Sequence, residues 1–249
     1  MRTYRTLILT LARSTLREPV GFFFTLIFAP MLMVILGLIF GNDPSPEFGG
    51  RGFVAATLPA YASLVVAIMG VLTLPVSQLQ LRESGALLRL RATPLRPQSY
   101  VAADLTVNFL IGLTGIAFAL MVGILGFGVR PEGNLVSVLA AAALGLVAFL
   151  ALGYTLAAIY PSAAAATGIG NGLMILLMMT SGAFVPLAVL PEGVQRVTEF
   201  SPIRHLVDLM QGLWNGDPWS NYGLATAVLV GMIVIFGTMG ARLFKWNAA

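Results

Sequence analysis

The sequence predicts an all-α integral membrane protein, a single domain over residues 1–249 with six membrane-spanning helices. Three observations predict it. Hydrophobic residues make up 58% of the chain and charged residues only 10%, with a mean hydropathy of +0.91, where an ordinary globular domain carries about 25% charge. Uncharged residues gather into five stretches, 19–42, 52–81, 105–129, 133–191 and 218–241, and roughly 20 apolar residues suffice for a helix to cross the hydrocarbon core. The basic residues fall between these stretches with a bias to one side, the pattern that orients a chain in a bilayer.

Taken in order, residues 3–17 come first. Tyr4, Leu7, Ile8 and Leu11 share one helical face, and Arg2, Arg5 and Arg13 lie largely off it, which predicts an amphipathic helix lying in the interface. The first span is expected over 20–40. Its uncharged run of 24 residues is too long for the apolar core of a cleaved signal peptide, about 7–15 residues. Spans two and three are expected over 55–79 and 104–128. The stretch 133–191 holds 59 residues, enough for spans 135–159 and 164–186, with the turn at Pro161-Ser162 because proline ends a helix. The sixth span is expected over 221–241.

Orientation follows from the cations. With the N-terminus in the cytoplasm, the inner segments hold ten of the 14 arginines and lysines and the outer segments four, while seven of the ten acids fall outside. Both termini are therefore expected inside, in a plasma membrane of prokaryotic type. The net charge of +4 reads as topology rather than as affinity for nucleic acid, and membrane lipids are the expected surroundings.

Two polar segments exceed what a connector requires. In 82–98, residues 82–92 can form about three helical turns; Leu87, Leu88 and Leu90 give that helix an apolar side, Arg82, Arg89 and Arg91 give it a charged one, and Thr93-Pro94 stops it. A bilayer protein needs no such helix merely to turn round, so the segment reads as a docking surface for a cytoplasmic partner; the plainer alternative is a basic interfacial anchor. In 186–220, Ser201-Pro202 reads as an N-cap followed by proline at the first helical position. Ile203, Leu206, Val207, Met210 and Leu213 then recur at helical spacing, with Pro186, Pro191 and Pro202 dividing the segment. Two short outer helices over 192–214 are expected, dipping into or lying on the outer leaflet.

The chemistry that is missing is as informative. There is no cysteine, one histidine (His205) and one lysine (Lys245). Disulfides, thiolate sites and multi-histidine metal sites are excluded. Lys245 follows Phe244, so no phosphate-binding loop exists. The chain is expected to bind no cofactor or metal and to be no enzyme by itself. A triad of Ser201, His205 and Asp208 is the one conceivable hydrolytic set, and the capping role already explains the serine. Asp104, one turn before Asn108, is expected to pair with Arg96 or with interfacial water. Gly168 with Gly172 and Ala141 with Gly145 are small residues at the spacing that lets helices approach; packing within the chain is the expected use, a dimer face the alternative. Met174, Met178 and Met179, with Phe184, could line a pliable apolar path.

These residues resemble a known family. Arg82-Glu83-Ser84-Gly85, followed by Leu87, Leu90, Ala92-Thr93-Pro94 and Tyr100, is similar to the coupling helix between spans two and three of type-2 permeases of the ATP-binding-cassette exporters. Ser181-Gly182-Ala183-Phe184-Val185-Pro186, then Leu190-Pro191, Ser201-Pro202 and Leu213, resembles the motif at the end of that family's fifth span. The resemblance covers nearly the whole chain; Arg89 and Arg91 make the coupling segment more basic than the family pattern.

The resemblance implies two permease subunits, identical or sister, and two ATPase subunits that carry ATP and magnesium. Arg82, Glu83, Gly85, Leu87, Leu90, Arg91, Thr93 and Pro94 would couple the ATPase to the spans. Gly182, Phe184, Pro186, Pro191 and Pro202 would belong to an outer gate. Spans two and five would line the path, placing Tyr61, Met69, Met178 and Phe184 near cargo. The apolar, methionine-bearing walls suggest an amphipathic or hydrophobic cargo such as a drug; a lipid-linked glycan or cell-wall polymer is the alternative. A channel or secondary transporter without an ATPase, and a non-transporting scaffold, are the rivals from other classes.

Overall fold

The computed structural model describes residues 2–16, 19–48, 50–91, 97–181, 193 and 198–243. Among these the chain is helical, and the one extended pairing is an isolated bridge between Ser45 and Arg51. Helix α1 is Arg2–Leu16. Six helices are long and apolar enough to cross a membrane: α2 (Phe23–Phe40), α3 (Phe53–Glu83), Gln98–Phe127 within α5 (Pro97–Phe127), α6 (Leu135–Ile159), α7 (Ala163–Thr180), and Trp219–Leu243, which contains α9 (Gly223–Leu243). Two further helices are short: α4 (Ala86–Arg91), between α3 and α5, and α8 (Pro202–Trp214), between α7 and α9. The chain is a multi-pass membrane protein.

Helix α3 is the axis of the bundle. Its most apolar window is 89% buried, whereas none of the other five spans exceeds 44%. It packs on α2, α5, α6, α7 and α8, while α9 lies along α6. Two prolines shape the inner helices. Pro75 has no N–H to give to the carbonyl of Val71, and Pro30 none for Leu26. Each freed carbonyl falls inside a π-helical turn, Met69–Thr73 in α3 and Phe23–Phe28 in α2. Such a widened turn is one way a helix accommodates a missing bond; in α3 the Leu74 N–H reaches back to Met69 O.

At the π-turn of α3 the backbones of α3 and α6 meet. A Cβ on Gly70 would collide with the carbonyl of Phe149, and one on Gly153 with the carbonyl of Gly70. Only glycine lets two helices come this close. Pro161-Ser162 does separate α6 from α7, and the Ser162 hydroxyl caps α7 by accepting from Ala165 N–H at 3.1 Å.

Three expectations are revised by the structure. The helix expected across 82–92 is divided: Arg82 and Glu83 end α3, Ser84-Gly85 forms a turn, and α4 restarts at Ala86. Gly85 has φ +69°, a left-handed conformation that costs other residues about 1–2 kcal/mol, and this closes the helix. Ser201 precedes α8 with extended backbone but makes no side-chain cap; its hydroxyl instead shares a hydrogen bond with Thr180 Oγ1 at 2.7 Å. Among the described residues no atom lies near the position of a Cβ on Gly168 or Gly172, whereas Gly170 packs on the backbone of Val71. The G-x-x-x-G pair therefore faces outward from the single chain.

Candidate functional site

The two ends of the bundle differ. One end carries Arg13, Arg82, Arg89 and Arg242, together with α4 and the turn between α6 and α7; it is called the arginine-rich end below. The opposite end carries the 41–52 loop, the 128–134 turn and the C-terminus of α8.

At the arginine-rich end, the last turn of α3 meets the 160–163 turn. Arg82 Nη2 donates to the Tyr160 carbonyl at 3.1 Å, and Glu83 Oε1 accepts from Ala163 N–H at 2.7 Å. Both are backbone groups that a helix end leaves without an intrahelical partner. After Gly85, Leu87 is buried, 2% exposed. Residues Tyr154, Ala157 and Ala158 line the same small recess. Leu88 and Arg89 are exposed. Leu90 and Arg91 close α4; their side chains, and Thr93 and Pro94 entirely, lie outside the described residues.

One turn deeper, a polar knot joins three spans. Asp104 Oδ2 accepts from Gln78 Nε2 at 2.9 Å, from Asn108 Nδ2 at 3.2 Å and from the Tyr154 hydroxyl. Tyr100 donates to Gln78 Oε1 at 3.3 Å. Asp104 is 5% exposed. Among the described residues the ion pairs are Arg51–Glu132 and Arg204–Asp208, and the groups that reach the Asp104 carboxyl are neutral donors. Burial without those donors would cost several kcal/mol. The expected partner Arg96 lies outside the described residues. The sequence did carry a signal: Tyr100, Asp104 and Asn108 are four apart and form a polar stripe on α5. Tyr154 also lines a groove of about 700 Å³ between α5, α6 and α9, walled by Val101, Leu105, Phe109, Leu150 and Phe236 among others.

At the opposite end, α8 is sunk into the bundle. Ile203, Leu206, Leu209, Met210, Leu213 and Trp214 are buried, and α8 packs against α3, α6 and α9. Leu206 fills the space above Gly145, where a Cβ would overlap it. The Trp214 carbonyl accepts from the N–H groups of Glu132 and Gly133, each at 3.0 Å. Arg51 pairs with Glu132 at 3.3 Å and donates to Asn215 Oδ1. This collar ties the loop before α3 and the turn before α6 to the end of α8. Pro202 is the first residue of α8 and is half-buried. Arg204 spans Thr198 Oγ1 (2.6 Å) and Asp208 (3.4 Å). Burial pushes the Asp208 carboxyl above its ordinary value, and Arg204 and His205 pull it back. His205 is half-buried beside them.

The residues expected near cargo fall in different places. Tyr61 and Met69 are wholly buried in the single chain, and Met69 Sδ accepts from Thr25 Oγ1 at 3.3 Å. Met178 is half-buried on α7. Gly182, Phe184, Pro186 and Pro191 lie outside the described residues, as does most of the first of the two expected outer helices. The exposed apolar face of the bundle closest to these positions in sequence is that of α7, with Ile175, Leu176 and Met179.

Comparison with known proteins identifies a family. The family model described as "ABC-2 family transporter protein" matches residues 42–242. A Bacillus subtilis (strain 168) protein named "Putative transport permease YvfS" is 28% identical over 175 residues, covering 67% of this chain and 69% of its own length.

Proposed function

The chain belongs to the ABC-2 family of transporter proteins, and from that premise we propose that it is the membrane subunit of an ATP-driven exporter of amphipathic or hydrophobic molecules. A separate ATPase subunit supplies ATP, magnesium and hydrolysis, since this sequence has no phosphate-binding loop. The arginine-rich end faces the cytoplasm, as the positive-inside rule requires, with α1 along the inner interface and both termini inside.

The observation that carries the proposal is α4. It stands off α3 through the Gly85 turn, is anchored by buried Leu87, and turns Leu88 and Arg89 outward. A loop that only reverses the chain requires no such step. A helix with one face seated and the other exposed is suited to receive a cytoplasmic partner, and residues 86–94 are the proposed docking segment. At the outer end, α8 and the 182–191 motif form the gate. A second permease subunit packs on the outward face of α7, where Gly168 and Gly172 leave room for a close neighbour.

The test is co-purification. The tagged chain, extracted in mild detergent from its native membrane, is expected to bring down an ATP-binding-cassette polypeptide. Arg89→Glu is expected to remove it while leaving the chain folded, because the Arg89 side chain is exposed. Failure to recover any nucleotide-binding polypeptide under several gentle extractions would sink the exporter reading and favour a channel.

A further inference from the structure

We propose that Arg82 and Glu83 are positioning residues that clasp the end of α3 to the 160–163 turn, so that motion imposed on α4 is delivered to α7. The inference rests on the exporter reading and assigns to these two residues a task other than touching the ATPase.

The geometry is specific. The dipeptide sits between two helix ends of opposite polarity. Tyr160 closes α6, its own N–H bonded to Leu156 O at 2.9 Å, and its carbonyl belongs to the negative end of that helix. It receives the Arg82 guanidinium. Ala163 opens α7, and its N–H belongs to the positive end. It is held by the Glu83 carboxylate. A cation on a helix C-terminus and an anion on a helix N-terminus are each favourable, and hydrogen bonds to ionised groups are stronger than neutral ones. Exchanging the two charges would make both contacts repulsive. Ser162 meanwhile spends its hydroxyl on Ala165, so Ala163 N–H has Glu83 to itself.

Three attachments then surround the Gly85 turn: Arg82 to α6, Glu83 to α7, and Leu87 in the recess with Ala157 and Tyr154. Helix α3 also packs along α7. A push on α4 therefore reaches the first turn of α7 through Glu83. The exposed side of α4, not the Arg82–Glu83 pair, remains to meet the partner.

The chain has no cysteine, so Thr167→Cys places one thiol near the start of α7, at an exposed position off the Gly168–Gly172 face. The complex with its co-purifying ATPase is reconstituted in lipid nanodiscs. Labelling of that thiol by N-ethylmaleimide is timed with and without ATP and vanadate. The nucleotide is expected to change the labelling rate in the Thr167→Cys background. Adding Glu83→Ala or Arg82→Ala is expected to abolish the change while the ATPase stays bound and hydrolyses ATP. Glu83→Gln, which keeps an accepting oxygen, is expected to retain part of it. A second measurement needs no partner: in the chain alone, hydrogen exchange over 161–166 is expected to quicken about tenfold in Glu83→Ala. A nucleotide response that survives Glu83→Ala overturns the proposal, and so do loss of the ATPase from that variant and unchanged exchange. If the parent complex itself shows no nucleotide response, the exporter reading falls and takes the coupling role with it; the exchange result then reports on the contact alone.

Discussion

Ala141 and Gly145 in α6 and Gly168 and Gly172 in α7 share one spacing and meet opposite surroundings. Ala141 and Gly145 are buried, and Leu206 of α8 fills the space beside Gly145. Gly168 and Gly172 face away from the bundle with open space before them. Small residues four apart make a helix approachable, but whether something within the chain approaches depends on the long-range fold. In α6 the visitor is an amphipathic helix thirteen residues long that arrives from between spans five and six. In α7 no element among the described residues arrives, so the same pattern is left for a neighbour outside the chain.

The comparison is broken most severely where glycine meets backbone. Gly70→Ala would press a methyl group against the carbonyl of Phe149 at the crossing of α3 and α6. Neither helix can rotate its backbone aside, and α3 is the buried axis of the bundle. A loss of about 3 kcal/mol, the upper end of ordinary overpacking, is expected, read as a lower midpoint in detergent unfolding. A variant as stable as wild type would mean that α3 and α6 do not cross at this point.

A smaller effect is expected where glycine meets a side chain. Gly145→Val would overlap Leu206, and a leucine can shift where a carbonyl cannot, so about 1–3 kcal/mol is expected. Leu206→Ala would remove the obstacle and leave a cavity of its own. The double variant should therefore be more stable than the sum of the two single losses predicts. Additive losses would place α8 away from α6, and with it the sunken position of the whole helix.

The six spans were legible because charge and proline mark their limits. The uncharged stretches set the number, and Pro161-Ser162 split the longest one where α6 does end and α7 begins. What escaped the sequence reading depends on partners distant in the chain. Asp104 was read as a charge near the start of its span, and its partners Gln78 and Tyr154 come from other spans that no local pattern could bring to it. The π-turns before Pro30 and Pro75 follow from a missing N–H, but a proline in a helix permits a kink, a break or a widened turn, and packing chooses among them. The helix over 82–92 was divided by one glycine in a left-handed turn. Arg82 was read on the charged side of the docking helix, and only the fold shows that it and Glu83 reach two helix ends.

The smallest effect on the fold is expected at the open pair, and there the comparison becomes informative about assembly. Gly168→Ala and Gly172→Ala add methyl groups to empty space and replace a helix-interior glycine, a change worth about 0.5–1 kcal/mol in favour of the helix. The single chain should unfold no earlier than wild type in detergent, and slightly later if the lipid-facing helix obeys ordinary propensity. Gly172→Leu should likewise leave the fold of the chain little disturbed, since no atom of the described residues lies within 4 Å of a Cβ at Gly172. Its consequence should lie in self-association, because a leucine at the face proposed for the second permease would hold two backbones apart. Energy transfer between labelled copies in vesicles reads this directly. If Gly172→Leu weakens association while stability is unchanged, the two small-residue pairs do the same physical work, one within the chain and one between chains. If association is untouched, the α7 face meets lipid, and the open glycines serve no second copy.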